Sequence, residues 1–132
     1  MLSVELYTDL VVCMKISPHF DRDEFACKCG CRFDSVDVEL IGMLEKIREK
    51  YNSPITINSG CRCLKHNIAI GGSENSQHIT GKAADFVVQG VEPALVANFI
   101  IKYNPLKYGV GIYNTWVHVD SRSQPARWDK RT

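Results

Sequence analysis

Several features are scarce or missing in this chain, and each absence narrows its role. Charge of one sign is not in excess: 16 Lys and Arg against 15 Asp and Glu leave a formal net charge of +1 over 132 residues. A nucleic-acid binder ordinarily presents a basic face, so this balance argues against one. No apolar run reaches the roughly 20 residues needed to cross a bilayer. There is no internal repeat and no low-complexity tract, which excludes repeat architectures. No Cys-x-x-Cys pair occurs, which places a thiol-redox or metal-sensing protein well behind other readings. Residues 2–13 also lack the basic segment and small-residue cleavage site of a signal peptide. With 45% hydrophobic and 23% charged residues, the composition is that of an ordinary globular domain. The length suits one domain with its own core. A second methionine, Met14, precedes Lys15-Ile16-Ser17-Pro18, so the expected division is an N-terminal extension at 1–13 and one domain at 14–132.

Ser17 to Phe25 reads as a turn or one-turn helix that pins Phe20 and Phe25 to the core. Asp34 or Ser35 offers an N-cap for a helix from Val36 to Tyr51. In it Val36, Leu40, Met43, Leu44, Ile47 and Tyr51 recur at three- and four-residue steps and form one buried stripe. Ile55–Asn58 is β-branched and reads as a strand. Asn58 to Phe86 is rich in Gly, Ser and Asn, and therefore mostly loop, with a short helix over Leu64–Ile70. Ala83–Val88 reads as a buried strand. A helix follows from Glu92, with Pro93 in its first turn and Leu95, Val96, Phe99 and Ile100 facing inward. Gly109–Tyr113 and Thr115–Asp120 read as two strands around an Asn114 turn. Ser121–Thr132 is polar apart from Trp128.

The chemically capable side chains gather in the loop. His78 and Asp85 are separated by seven positions that include the small residues Gly81, Ala83 and Ala84, so the backbone can turn and bring both to one point. Imidazole and carboxylate are ordinary zinc ligands, and His118 is the natural third. Strand alternation puts Trp116, His118 and Asp120 on one face. Three protein ligands leave a fourth position for water, the arrangement of a catalytic centre with about one zinc per chain. Taken singly, each residue has a plainer role: a hydrogen-bonded structural His, or an Asp capping a strand end.

Ser59-Gly60-Cys61-Arg62, His66-Asn67, Gly71-Gly72, Ser76-Gln77-His78-Ile79-Thr80-Gly81-Lys82-Ala83-Ala84-Asp85, Gly109-Val110-Gly111-Ile112-Tyr113 and His118-Val119-Asp120 together resemble the zinc DD-peptidase family. The resemblance is to zinc D-Ala-D-Ala carboxypeptidases and murein endopeptidases of bacteria and phages, and it covers Ser17 to Trp128. The combination is specific, whereas any single piece is weak. The resemblance implies an α+β domain of the Hedgehog/DD-peptidase type, a small antiparallel sheet packed with helices. It implies zinc held by His78, Asp85 and His118. It also implies that Arg62 meets the substrate carbonyl or carboxylate, where a guanidinium stabilises developing negative charge. The expected substrate is a peptidoglycan stem peptide or cross-bridge, and the expected state a monomer. The missing leader segment favours a phage-type protein released by other means. The alternative is a zinc-containing cell-wall-binding module that has lost catalysis.

One departure keeps that alternative open. Members of the family usually carry a general acid/base shortly before the second zinc His, often an acidic residue three positions earlier, and here that position is Thr115. Asp120 is the best substitute, with an equal alternative as a carboxylate that orients His118 or pairs with Arg122. Tyr113 could donate a proton but is a poor base at its ordinary pKa of about 10. His66 reads as structural, Ser76 as orienting the loop or bonding a ligand, and Trp116 as core or cleft wall. Cys27, Cys29, Cys31 and Cys63 could form a second, structural metal site, since thiolates favour zinc. The absence of a Cys-x-x-Cys pair tips the balance towards free or partly bridged cysteines, with Cys13 and Cys61 outside the group.

Overall fold

The computed structural model describes residues 15–31, 36–73 and 75–132. The expected extension at 1–13, with Cys13, and the expected caps Asp34 and Ser35 lie outside the described residues.

The chain begins with a small hairpin, β1 (Lys15–Ser17) and β2 (Phe20–Asp21), followed by a 3-10 turn at Arg22–Phe25. Phe20 and Phe25 are both buried and meet edge to face, with ring centroids 5.9 Å apart. α1 (Val38–Tyr51) buries Leu40, Met43, Leu44 and Ile47, as its spacing predicts. It starts two residues later than expected, for a tertiary reason. The Asp37 N–H donates to the Gly81 carbonyl (2.9 Å), which holds Asp37 extended, and its carboxylate caps the helix at the Glu39 N–H. Asn52, in the left-handed region, ends the helix.

β3 (Ile55–Ser59) leads into the loop, where α2 (Leu64–Ala69) and a 3-10 turn at Gln77–Thr80 form before β4 (Ala83–Val88). α3 (Pro93–Tyr103) buries Val96, Ala97 and Ile100, while Phe99 packs at the margin and Leu95 is exposed rather than inward. β5 (Gly109–Ile112), β6 (Val117–Asp120) and β7 (Ala126–Asp129) complete a five-stranded sheet of order β3-β4-β6-β5-β7. All its neighbours are antiparallel except β5 and β7, which are parallel. The fold is α+β.

β7 is the element that the sequence conceals. Its residues look polar, yet Arg127 anchors it by donating to the carbonyls of Tyr108 (2.5 Å) and Lys107 (3.0 Å), and Ala126 N–H donates to Tyr108 as well.

Alternation divides the sheet into two faces. Ile57 of β3, Ala84, Phe86 and Val88 of β4, Val110 of β5, and Val117 and Val119 of β6 join the residues of α1 and α3 in one apolar core. The intervening residues Asp85, Gly109, Gly111, His118 and Asp120 therefore face away from that core. The core covers one side of the sheet and leaves the other for chemistry.

Glu45 of α1 fastens the N-terminal hairpin to this framework. It accepts from Ser17 Oγ (2.5 Å), the His19 N–H (2.8 Å) and His19 Nδ1 (2.6 Å). Burial would raise its pKa, but these donors win and lower it. A lowered carboxyl pKa stabilises the fold above the ordinary glutamate value of about 4.3 and is lost as pH falls through the folded value. Glu45→Gln is therefore expected to cost about 1 kcal/mol at neutral pH. The difference should shrink towards zero in acid, as read by denaturant unfolding at several pH values.

Candidate metal centre

The register of β4 and β6 sets the site. Asp85 pairs with His118 across these strands, His118 pairs with Gly111 of β5, and Gly111 pairs with Trp128 of β7. Four strands thus contribute one row on the face away from the core. His78 comes from the 3-10 turn, whose start Ser76 caps by accepting from the His78 N–H (3.1 Å). Of the two readings of Ser76, this cap is the contact the structure shows.

Each imidazole is fixed by the nitrogen that faces away from the shared point. His78 Nδ1 donates to the Gly60 carbonyl (2.6 Å), leaving Nε2 3.4 Å from Asp85 Oδ1. His118 Nε2 donates to Asp120 Oδ2 (2.7 Å), leaving Nδ1 2.9 Å from the same Asp85 oxygen. Ligand atoms of His78, Asp85 and His118 all lie within 4.8 Å of one another. Two imidazoles, neutral once a metal takes the place of the shared proton, and a carboxylate form a donor set suited to zinc, each imidazole being backed by a carbonyl or carboxylate. The residues present fit the metal.

Charge in the site is balanced locally. Burial would raise Asp85, but hydrogen bonds from His118 and His78 hold it well below the usual carboxylate range. Asp120 is fully buried and is held low in the same way by His118 and Arg122. Arg122 grips it with two bonds of 2.7 Å, from Nε to Oδ1 and from Nη2 to Oδ2, and the Gly109 N–H adds a third donor at 3.2 Å. Burial opposes a charge on His118, but Asp120 and Asp85 outweigh it and raise its pKa.

A cleft of about 410 Å3 opens over the centre, lined by Arg62, Ser73, Asn75, Ser76, Gln77, His78, Asp85, Tyr113, His118, Arg122 and Trp128. Arg62 is held rigidly: Nε donates to Ser59 Oγ (3.2 Å), Nη1 to Asn67 Oδ1 (2.9 Å), and Nη2 lies 3.5 Å from Asp85 Oδ2. Buried Asn67, which also donates to the Ser73 carbonyl (2.7 Å), is a support whose role the sequence motif does not reveal. So is Trp128, whose ring lies 4.9 Å from that of His118 and whose Nε1 donates to Tyr113 Oη (3.0 Å). The His66-Asn67 pair and the Gly109-x-Gly111 spacing were the available signals. Trp116 instead stacks on Tyr113 beside the β5–β6 turn (centroids 4.4 Å apart), and Thr115 is exposed on that turn. His66 sits on α2, away from the cleft. Among the described residues lining the cleft, Asp85 is the one carboxylate.

Three convergent metal-ligand side chains on one sheet face, under an open cleft, form a candidate metal centre. The sequence profile of the peptidase M15 family matches residues 18–120, and the chain belongs to that family of zinc DD-peptidases. Comparison with curated proteins finds no match. No helix among the described residues is long and apolar enough to cross a membrane.

Two glycines hold the row open. A Cβ on Gly109 would meet the Asp120 carboxylate, and one on Gly111 would meet the Trp128 indole. Gly109→Ala is expected to destabilise the fold by about 2 kcal/mol through overpacking. Gly42→Ala, on the exposed face of α1 with open space around it, should instead stabilise by about 1 kcal/mol. Denaturant midpoints of the two variants check both signs.

Proposed function

We propose that the protein hydrolyses amide bonds in peptidoglycan stem peptides or cross-bridges, as a carboxypeptidase or an endopeptidase, with zinc held by His78 Nε2, Asp85 and His118 Nδ1. The observation that carries this reading is the convergence of those three ligand atoms under the cleft, in a chain of the peptidase M15 family. Bound zinc lowers the pKa of its water to about 7 and polarises the scissile carbonyl.

The chain's own residues supply the rest. Arg62, immobilised by Ser59 and Asn67, holds the oxyanion or a terminal carboxylate. Tyr113 accepts from Trp128, which leaves its own O–H to donate to the same developing charge. Asp120 acts through His118: its carboxylate already serves His118, Arg122 and the Gly109 N–H, and it fixes the ring so that Nδ1 faces the metal. Of the two roles open to Asp120 from sequence, positioning is the better supported by this enclosure.

The second reading is a zinc-containing wall-binding module. Its support is Thr115, exposed on a turn at the position where the resemblance leads one to expect an acidic residue.

Incubation with purified cell walls separates the two. Release of soluble muropeptides or D-alanine, abolished by a chelator and restored by zinc, is expected of the peptidase. Wall binding with zinc present and no release would overturn it. His78→Ala and His118→Ala should each remove about one zinc per chain and abolish turnover. Asp120→Ala should weaken zinc about 10–100-fold while the zinc-saturated variant keeps some activity. Normal zinc affinity with no turnover would instead make Asp120 the acid/base.

A further inference from the structure

A second cluster of metal-ligating side chains lies outside the cleft. Cys27 and Cys29 Sγ are 3.5 Å apart, Cys29 and Cys63 3.6 Å, and Cys27 and Cys63 3.8 Å. Cys31 completes a group of four whose sulfurs all lie within 4.8 Å of one another. No disulfide joins any of the four, and bonded sulfurs would be about 2.05 Å apart. Three nearly equal separations do not reflect pairing, which brings two atoms together and leaves the others aside. They reflect four ligands around one centre: tetrahedral zinc with Zn–S bonds of about 2.3 Å requires sulfur–sulfur edges of about 3.8 Å.

The backbone is built for the same arrangement. Gly30 takes a φ of +85°, which a side chain would strain, and its N–H donates to the Cys27 carbonyl (3.3 Å). That turn folds Cys29 and Cys31 back towards Cys27. The Cys63 N–H donates to Cys27 Sγ (3.3 Å) and the His66 N–H to Cys63 Sγ (3.4 Å). Sulfur acts as acceptor in both, a role that a metal-bound thiolate also fills.

We propose that Cys27, Cys29, Cys31 and Cys63 bind a second zinc ion in a closed, four-thiolate structural site. Binding replaces the thiol protons by the metal and involves no change of oxidation state. The site ties the 27–31 loop to the first residue after Arg62, so it braces the segment that presents Arg62 to the cleft. It is independent of the catalytic reading, because the His78–Asp85–His118 centre shares no ligand with it. The sequence alone favours free or partly bridged cysteines here; the equidistance of the sulfurs reverses that preference.

Elemental analysis of full-length protein purified under reducing conditions tests the proposal, with about two zinc per chain expected. A His78→Ala/His118→Ala double variant should retain about one zinc, and so should Cys29→Ser/Cys31→Ser, which alters exposed residues. Cobalt(II) gives a readout tied to ligand type, since thiolate coordination produces an intense near-ultraviolet charge-transfer band. That band is expected in wild type and in the histidine variant, and lost in the cysteine variant. A reduced wild-type protein that binds cobalt without the band overturns the site. So does complete loss of zinc in a folded histidine variant, or a native mass showing two or four hydrogens lost and no metal. If either variant fails to fold, the wild-type cobalt spectrum decides alone. Loss of wall hydrolysis would bear on the catalytic reading and leave this outcome unchanged.

Discussion

The antiparallel pairing of β4 with β6 is the constraint on which the rest depends. Asp85 stands opposite His118 only in this register, and strand alternation makes the register all-or-none. A slip of one residue would turn His118 and Asp120 into the apolar core and bring Val117 and Val119 out. The core forbids it: Ala84, Phe86, Val117 and Val119 are fully or almost fully buried against the two helices. Hydrophobic packing on one side of the sheet therefore aims the metal ligands on the other. The chemistry is a by-product of pairing that the apolar side would enforce anyway.

Polar groups beneath the cleft are arranged so that each buried charge has a partner. Asp85 is shared by two imidazoles and approached by Arg62, while Asp120 is enclosed by His118 and Arg122. An unpaired carboxylate as buried as Asp120 would be costly, and Arg122 with the Gly109 N–H offsets that cost. The two arginines differ in the use they leave open. Arg122 spends its fork on Asp120, whereas Arg62 is held at its flanks by Ser59 and Asn67 and lies at the looser distance of 3.5 Å from Asp85. Of the two, Arg62 has the looser contact, which suits the role proposed for it towards a substrate anion.

Much of this was legible in the sequence, and the parts that were not share a cause. Ala83–Val88 reads as a buried strand, and α1 announces itself by its stripe. The gathering of His78, Asp85 and His118 is suggested by small residues between the first two and by alternation around the third. What escaped is whatever depends on a partner remote in sequence. Asp37 becomes the cap of α1 because the Gly81 carbonyl holds it extended. β7 forms by pairing in parallel with β5, held there by Arg127 on the Tyr108 and Lys107 carbonyls, and no local periodicity records that. Trp128 reaches His118 only across the space left by Gly111. The geometry of the four thiols is likewise invisible in spacing, since Cys63 joins from the far side of α1 and β3.

Gly109 and Gly111 carry a lesson for anyone who would transplant this centre into another protein. Copying the three ligands onto a new sheet would fail unless two squares of the lattice beside them were kept blank. One blank seats the carboxylate behind His118, and the other admits the aromatic wall from the neighbouring strand. The portable unit is a tile of four strands, with its empty positions specified as strictly as its occupied ones.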